Sequence, residues 1–399
     1  MSESITTRWS SQLCLIASCV FILIAPGVAR SAEIIVGYLG LEREQEAPLS
    51  PLDEEARDEG LKGVELAVED NSTTDRFFDR DWGLRKKLLI PGRSAQEAVR
   101  LLKREGVSYI VSDLDKDELL EAASAEPQLL FFNIRSPDDA LRGSDCRDNI
   151  LHTIPSHAML ADALAQFSAA RDWRRWFLIR GKTSADSAYA NALTRAASRF
   201  GIEIVEEKLW TLVLGKGRAD SGHVTLEAEI PVFTRAPDYD LLVVADEADE
   251  FGDYLIGRSA APRLVAGTQG LQSTAWSAVQ DQWGARQLQN RFLLEAHRRM
   301  TAVDYAGWVA VRALGEAITR NPTLDPKSIK NFLKGPDFVL AGYKGVGLSF
   351  RPWDGQLRQP ILIAGPRLLV SVSPQPGFLH PQTSLDTLGY DKEESECAR

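Results

Sequence analysis

Apolar strand patterns alternate with amphipathic helix patterns along most of this 399-residue sequence. The first pair is EIIVGYLG followed by GLKGVELAVED, in which Leu61, Val64 and Val68 fall on one helical face. One run of the alternation extends to QLLFFNI, and a second begins at HAMLADALAQFSAARD. Alternation of this kind predicts parallel sheets covered by helices. Because it occurs in two successive runs, we expect two α/β lobes rather than one.

Gly60 and Gly63 stand at the start of the first predicted helix, just past the first predicted strand. In open α/β sheets, ligands bind at the carboxyl ends of strands, where helix N-termini present N–H groups. Two glycines at this place fit a tight turn at which a ligand comes close to the backbone. Close packing of the helix on the sheet explains them equally well, and the sequence leaves both interpretations open.

The N-terminal region predicts export. A short polar stretch with one arginine is followed by the apolar run LCLIASCVFILIAPG and by small residues, which is the layout of a secretory signal peptide. We assign residues 1–32 to it, with cleavage after Ser31 because Ala29 then stands three positions before the cut. An uncleaved anchor and a lipidated Cys19 are the alternatives. No later segment reaches the roughly 18 apolar residues that a membrane span needs.

Composition narrows the class of partner. The formal net charge of -10 and the lack of a Lys/Arg block argue against a nucleic-acid partner, because phosphate binding needs a basic face. The acidic run LDEEARDE, residues 52–59, is either a solvated helix start or a site for a cation or amine.

Cysteine usage predicts no disulfide framework. Cys14 and Cys19 leave with the signal peptide, so only Cys146 and Cys397 remain in the mature chain. These two residues are able to pair once, but Cys397 lies in a polar tail as the third residue from the end. We therefore expect no structural disulfide.

The motifs of catalysis and of metal binding are missing or incomplete. GKTS at residues 181–184 lacks the first glycine of a phosphate loop, since Trp176 stands at that position. The histidines form no HExxH, and DNSTTD at residues 70–75 lacks the central glycine and final glutamate of a calcium loop. Neither GxSxG nor a GxGxxG after a strand occurs. We expect binding without catalysis, and neither a metal nor a cofactor.

Several segments together resemble a known family. They include NILHTIPSHAMLADALAQF, WFLIRGKTSADSAYANALTRAASRFGIEIVEEKLW and DYAGWVAVRALGEAI. Their order and spacing resemble those of the type I periplasmic solute-binding proteins, the branched-chain amino acid class of ABC-transporter receptors, over about residues 33–372. TQGLQSTAW and QWGARQLQNRF are most similar to a subgroup encoded with quinoprotein (PQQ-dependent) alcohol dehydrogenase systems.

The resemblance implies an α/β fold of two Rossmann-like lobes with parallel sheets, joined by three crossings that act as a hinge. Lobe 1 would comprise residues 33–152 and 284–341, and lobe 2 residues 153–275 and 342–373. The crossings are expected near residues 152–155, 272–283 and 342–347. Residues 374–399 would form a loosely ordered polar tail.

The family's amino-acid site carries over only in part. The residues that hold the ligand carboxylate would fall at Asp113 to Asp115 and at Arg135 and Ser136, of which Ser136 alone keeps the type. The aromatic residues of the second lobe would fall near Ser184 and at Asp246, and the acid that holds the ligand ammonium would fall at Gln269. An α-amino acid is therefore an unfavourable ligand, because its ammonium loses a charge-assisted bond worth roughly 1.5–3 kcal/mol. Arg135 offers a partner for an anion, and Asp113 and Asp246 for hydroxyls, an amine or a cation; each is equally explained as a solvated rim residue.

By resemblance, the chain is expected to be the periplasmic substrate-binding component of an ABC transporter. Its partners would be a small molecule and an inner-membrane permease, and the subgroup implies a ligand connected with PQQ-dependent alcohol oxidation or its cofactor supply. The alternative is a ligand-sensing or accessory protein of the quinoprotein dehydrogenase system. An enzyme would need a paired acid and base in the cleft, and the sequence shows none.

Overall fold

A computed structural model describes residues 32–43, 56–212 and 221–397. The predicted signal peptide, apart from Ala32, and the first part of the acidic run lie outside the described residues.

Strands and helices alternate as the sequence predicts. The strands are β1 Ala32–Leu41, β2 Arg80–Leu89, β3 Tyr109–Asp113, β4 Leu130–Asn133, β5 Ile150–His152, β6 Arg175–Arg180, β7 Glu203–Leu209, β8 Leu241–Ala245, β9 Leu264–Gly267, β10 Leu271–Thr274, β11 Leu340–Ala341, β12 Gly347–Phe350, β13 Leu357–Arg358, β14 Ile361–Ala364 and β15 Leu369–Ser373. The helices are α1 Leu61–Asp75, α2 Ala95–Arg104, α3 Lys116–Ala125, α4 His157–Ala170, α5 Ser184–Arg199, α6 Ser221–Phe233, α7 Gly252–Leu255, α8 Ala285–Ala296, α9 Ala302–Arg320 and α10 Pro326–Leu333.

The first half of the chain forms a parallel sheet of five strands in the order β2-β1-β3-β4-β5. Successive side chains of a strand point to opposite faces, and here both faces are covered. Phe132 therefore packs with α1 and α9 on one face, while Phe131 packs with α2 and α3 on the other. We call this sheet with its helices, and with the small sheet of β11, β12 and β13, lobe 1.

The second sheet has seven strands in the order β15-β14-β10-β9-β8-β6-β7. Strands β6 to β10 run parallel, and β14 and β15 are added antiparallel at one edge. Leu178 packs with α4 and α5, whereas its neighbours Phe177 and Ile179 pack on the opposite face. This sheet and its helices are lobe 2. The predicted α/β fold of two lobes with mostly parallel sheets is confirmed.

The chain passes between the lobes three times among the described residues. The first crossing, residues 153–156, joins β5 to α4, and the second follows β10, since Trp276 already packs in the core of lobe 1. The third lies at residues 359–360, between β13 and β14. The predicted third crossing near residues 342–347 is wrong, because Phe350 and Leu357 of the β12–β13 hairpin pack in the core of lobe 1. The other lobe boundaries stay a prediction.

The C-terminal segment is packed, not loosely ordered. Leu388 is fully buried in the core of lobe 2, and Asp386 is fully buried between two arginines. Cys397 forms a disulfide with Cys146, so the expectation of no structural disulfide is also wrong. The two Cα atoms lie 5.5 Å apart although the residues are 251 positions apart in the sequence, and no local sequence pattern indicates this pairing.

Candidate functional site

The strand ends of the two lobes meet at the first crossing. The N–H of His157, the first residue of α4, donates to the carbonyl of Pro137 in the loop after β4 (2.9 Å). The next N–H, of Ala158, donates to Asp139 of the same loop (3.0 Å). On the lobe 2 side, the Glu247 carboxylate after β8 lies 3.6 Å from His157 Nε2. The loop after β4 of lobe 1 and the loop after β8 of lobe 2 therefore both lie beside the start of α4. We call the space between these strand ends the crevice, because ligands of such sheets usually bind there.

The lobe 1 wall of the crevice is a closed network of charges. Asp113, at the end of β3, accepts from the Tyr38 hydroxyl (2.6 Å) and from Arg135 Nε (2.5 Å). Arg135 also donates to Glu59 (2.6 Å). Burial alone would lower the pKa of Arg135, but Asp113 and Glu59 outweigh it and raise that pKa. Burial and the neighbouring Asp113 raise the pKa of Tyr38. Arg135 thus already pairs with two carboxylates.

Ser136 is buried in the loop after β4. Its N–H donates to the Asn133 side chain (3.0 Å), and its carbonyl accepts from Asn133 Nδ2 (2.8 Å) and from Arg142 (2.9 Å). Arg142 also donates to the carbonyl of Ile154 (3.0 Å). The same arginine therefore holds the lobe 1 wall and the first crossing in a fixed relation.

On the lobe 2 wall, Asp246 and Gln269 bond within the protein. The Asp246 carboxylate accepts three backbone N–H groups, from Glu250 (3.0 Å), Phe251 (2.8 Å) and Gly252 (2.7 Å). Burial raises the pKa of Asp246, and these N–H groups act against that rise. Gln269 donates to Asp249 (2.9 Å) and accepts from the adjacent threonine hydroxyl (2.5 Å). Both residues shape the wall through these bonds.

A cavity of about 370 Å³ opens on the lobe 2 wall. Its lining contains Leu160, Tyr189, Asp246, Glu247, Asp249, Gly267, Thr268, Gln269, Gln272, Ser273 and Thr274. Ser184 stands where the resemblance would place an aromatic residue of the family. It is exposed at the start of α5 and does not line the cavity. Tyr189, one helical turn further on, does.

His157 and Glu247 form a close pair beside this cavity, and Glu247 lines it. The imidazole is 3% exposed, and neither ring nitrogen has a hydrogen-bond partner within the described ranges. It packs against the Tyr189 ring, with centroids 5.4 Å apart. The Glu247 side chain is 27% exposed, and its carboxylate lies 3.6 Å from that imidazole. A buried polar group without a partner is costly, so this pair is the strongest mark of a binding function in the crevice.

Sequence reasoning missed His157, Glu247 and Tyr189. A sequence signal exists for two of them. His157 opens the helix after the first predicted crossing, and Glu247 directly follows a strand-end residue, Asp246, that was already a candidate. Tyr189 lies inside a helix, and only the orientation of that helix brings its ring to the cavity.

Gly60 and Gly63 lie where the start of α1 packs against the start of α9. Gly60 adopts a φ of 80°, and its N–H donates to Asp304 Oδ1 (2.8 Å). A Cβ on Gly63 would lie 1.8 Å from the backbone oxygen of Asp304, at the N-terminus of α9. Both glycines therefore let α1 pack directly on α9. The structure favours close packing over approach of a ligand, but the packing is of helix on helix and not of helix on sheet.

Two structural features are absent from the described residues. No cluster of three or more His, Cys, Asp or Glu side chains among them has a geometry that would hold a metal ion. No helix in these segments is both long and apolar enough to cross a membrane.

Known proteins share this fold. A family model described as periplasmic binding protein matches residues 90–212, and no curated protein matches the sequence. A binding protein for leucine, isoleucine, valine, threonine and alanine from Brucella ovis, in a closed conformation, is 13% identical with a TM-score of 0.68 and covers 92% of this chain and 98% of its own.

Two further solved structures agree. A branched-chain amino acid ABC transporter periplasmic ligand-binding protein from Burkholderia xenovorans is 16% identical with a TM-score of 0.68, covering 92% and 99% of the two chains. A solute-binding protein of an ABC transporter from Rhodopseudomonas palustris, in complex with 3,4-dihydroxybenzoic acid, is 14% identical with a TM-score of 0.59, covering 84% and 93%. The chain thus has the α/β fold of the type I periplasmic binding proteins.

Proposed function

We propose that this protein is the periplasmic substrate-binding component of an ABC transporter and captures a small molecule between its two lobes. The observation that carries the proposal is the crevice at the strand ends of both sheets, in which the buried imidazole of His157 faces Glu247 with neither ring nitrogen hydrogen-bonded among the described residues. The match to a periplasmic binding protein model over residues 90–212 and the fold of the structural neighbours support it. An inner-membrane permease is the partner that such a function requires.

The ligand is not a standard α-amino acid. Its carboxylate would have to compete with Asp113 and Glu59 for Arg135, because that arginine already bonds to both. Its ammonium would meet Gln269, a neutral amide that is engaged with Asp249. The neighbours bind ligands as different as leucine and 3,4-dihydroxybenzoic acid, so the fold itself leaves the ligand open.

The carboxylates that line the cavity favour a ligand that donates hydrogen bonds. Glu247 and Asp249 add negative charge to the lobe 2 wall. On the lobe 1 wall, the charge of Arg135 is balanced by Glu59 and Asp113. A hydroxyl or amino group on the ligand would donate to Glu247, and a second polar group would bond to His157. We therefore infer a neutral or cationic solute that carries hydroxyl or amino groups.

A connection with PQQ-dependent alcohol oxidation is part of this proposal. The distinctive stretch TQGLQSTAW, residues 268–276, supplies Thr268, Gln269, Gln272, Ser273 and Thr274 to the cavity lining. A stretch that marks the subgroup and also lines the cavity is a reason to expect a ligand common to that subgroup. An accessory or sensing role beside the quinoprotein dehydrogenase is the alternative, and affinity capture of either the permease or the dehydrogenase by the purified protein separates the two.

Ligand identification tests the proposal directly. Native mass spectrometry of freshly purified protein should show a bound small molecule, and thermal unfolding should shift upward with members of a panel of alcohols, polyols, amines, aldehydes and carboxylic acids. Glu247→Gln should abolish the shift that a hydroxyl or amino compound produces. Glu203→Gln, on the exposed edge strand β7, is the matched control and should keep it. No bound molecule and no shift with any panel member would contradict the proposal.

A further inference from the structure

We propose that residues 384–397, the C-terminal strap, tie the two lobes together and restrain their opening. The strap begins with the 3-10 helix Ser384–Thr387 and ends at the disulfide of Cys397. It is in contact with both lobes, so it forms a fourth connection beside the three crossings.

One anchor of the strap lies on lobe 2. The N–H of Gly389 donates to Asp162 of α4 (2.8 Å), and the Gly389 carbonyl accepts from Arg199 of α5 (2.9 Å). Arg199 also bonds to Asp162 (2.7 Å), which is fully buried. The Leu388 side chain packs in the core of lobe 2, while its carbonyl accepts from Arg351 of lobe 1 (2.6 Å).

A second anchor lies only three residues earlier, on lobe 1. The Asp386 carboxylate accepts from Arg351 Nε (3.0 Å) and Arg358 Nε (2.7 Å) of the β12–β13 hairpin. Asp386 and Arg351 are almost completely buried. Because the hairpin packs in the core of lobe 1 through Phe350 and Leu357, this ion cluster ties the strap to lobe 1.

The third anchor is covalent. Cys397 is bonded to Cys146, which lies between β4 and β5 of lobe 1. The strap therefore leaves lobe 1 at Asp386, is held by lobe 2 at Gly389, and returns to lobe 1 at its end.

The spacing of the anchors defines two limits on lobe separation. Three extended residues span at most about 10 Å, so any larger distance between the sites of Asp386 and Gly389 has to break the buried ion cluster. The eight residues from Gly389 to Cys397 span at most about 27 Å, which is the limit that the disulfide sets once the ion cluster is broken. The ion cluster thus opposes the first part of opening, and the disulfide limits its extent.

The test measures lobe distance in the ligand-free full-length protein, so its outcome is independent of ligand identity. Unnatural amino acids that accept fluorophores replace Arg104 on α2 and Glu203 on β7, both exposed, and single-molecule energy transfer reports the distance between the lobes. Asp386→Asn should raise the open population at least about tenfold, because the bonds from Arg351 and Arg358 both lose their charge assistance and one charge-assisted hydrogen bond is already worth about that factor. Cys146→Ser/Cys397→Ser should extend the longest distances that are sampled, and the combined variant should open most.

Controls keep the result interpretable. Glu396→Gln changes an exposed charge in the strap and should leave the distance distribution unchanged. Reduction of the folded wild-type protein by a phosphine gives a second measurement that needs no variant, and it should also lengthen the distribution. If the reduced protein and the folded combined variant both show the wild-type distribution, the strap does not restrain the lobes.

Discussion

Replacing Gly63 with alanine tests the close packing of α1 on α9. A Cβ at this position would lie 1.8 Å from the backbone oxygen of Asp304 and 2.8 Å from its Cα, far inside any normal contact distance. Asp304 is unable to move aside, because its fully buried carboxylate accepts from Gly60 N (2.8 Å) and from Arg298 (2.6 and 3.0 Å). One helix must therefore shift by more than an ångström, or the network around Asp304 must break.

The magnitude follows from two opposing effects. Alanine is favoured over glycine inside a helix by about 1 kcal/mol. Overpacking costs about 1–3 kcal/mol where side chains are able to adjust, and a clash with backbone that is held by buried hydrogen bonds lies above that range. We expect a net loss of about 2–4 kcal/mol in the free energy of unfolding of lobe 1. For a lobe of this size, that loss lowers the midpoint by roughly 4–16 °C.

Thermal unfolding by circular dichroism and calorimetry checks the prediction. Gly365→Ala is the matched control, because its Cβ would lie 3.8 Å from its nearest neighbour outside the adjacent residues, the Leu368 oxygen; we expect a change within about 1 kcal/mol. If Gly63→Ala unfolds at the wild-type temperature and instead loses ligand binding, the glycine serves approach of a ligand and the packing argument is wrong.

Two other predictions concern buried charges. Burial raises the pKa of Asp162 to about 6, although its two arginine partners act to lower it; since the folded state then holds the proton more tightly than the unfolded state, wild-type stability should fall as pH rises from about 4 to about 6, by at most about 3 kcal/mol. Urea unfolding at pH 4 and pH 7 should show this loss in wild type and not in Asp162→Asn. An equal change in the free energy of unfolding between the two pH values in both proteins would contradict the prediction. Arg142→Met should cost about 1–3 kcal/mol in urea unfolding, because Gln356 Oε1 loses its buried donor and the Ile154 carbonyl loses one of its two donors. Arg174→Met, at an exposed arginine, should cost less than about 1 kcal/mol, and similar losses for both variants would refute the special position of Arg142.

The sequence predicts the layers of this fold well, because the pattern of apolar residues in each strand indicates which faces of the sheet are covered by helices. Phe131 and Phe132 are adjacent in an apolar run, and the strand sends them to opposite, equally buried faces. The third crossing was misplaced for a related reason. The glycines of residues 342–347 suit a hinge locally, but the β12–β13 hairpin that follows joins lobe 1 through pairing and packing that have no local signature. The pairing of Cys146 with Cys397 is equally non-local.

The candidate site shows a different limit of sequence reasoning. Strand-end positions are predictable: Asp113 ends β3, and Arg135, Asp246 and Gln269 follow β4, β8 and β9 within two residues. Which of these side chains remain available to a ligand depends on partners from distant segments. Asp113 bonds to Tyr38, 75 residues away, and Asp246 to N–H groups of the turn that follows it.

The polar side chains around the crevice differ in whether they already have hydrogen-bond partners within the protein. The Asp113 and Asp246 carboxylates are bonded within the protein, so they hold the walls in place whether or not a ligand is present. His157 is buried with no hydrogen bond to its ring among the described residues, which costs roughly 1–3 kcal/mol until a partner arrives. A ligand that bonds to the imidazole would recover this cost and would gain affinity from a penalty already present in the free protein. Binding and stability should therefore be linked through His157, and a ligand-induced rise in unfolding temperature should shrink in His157→Phe, which keeps the ring contact with Tyr189 but has no nitrogen to satisfy.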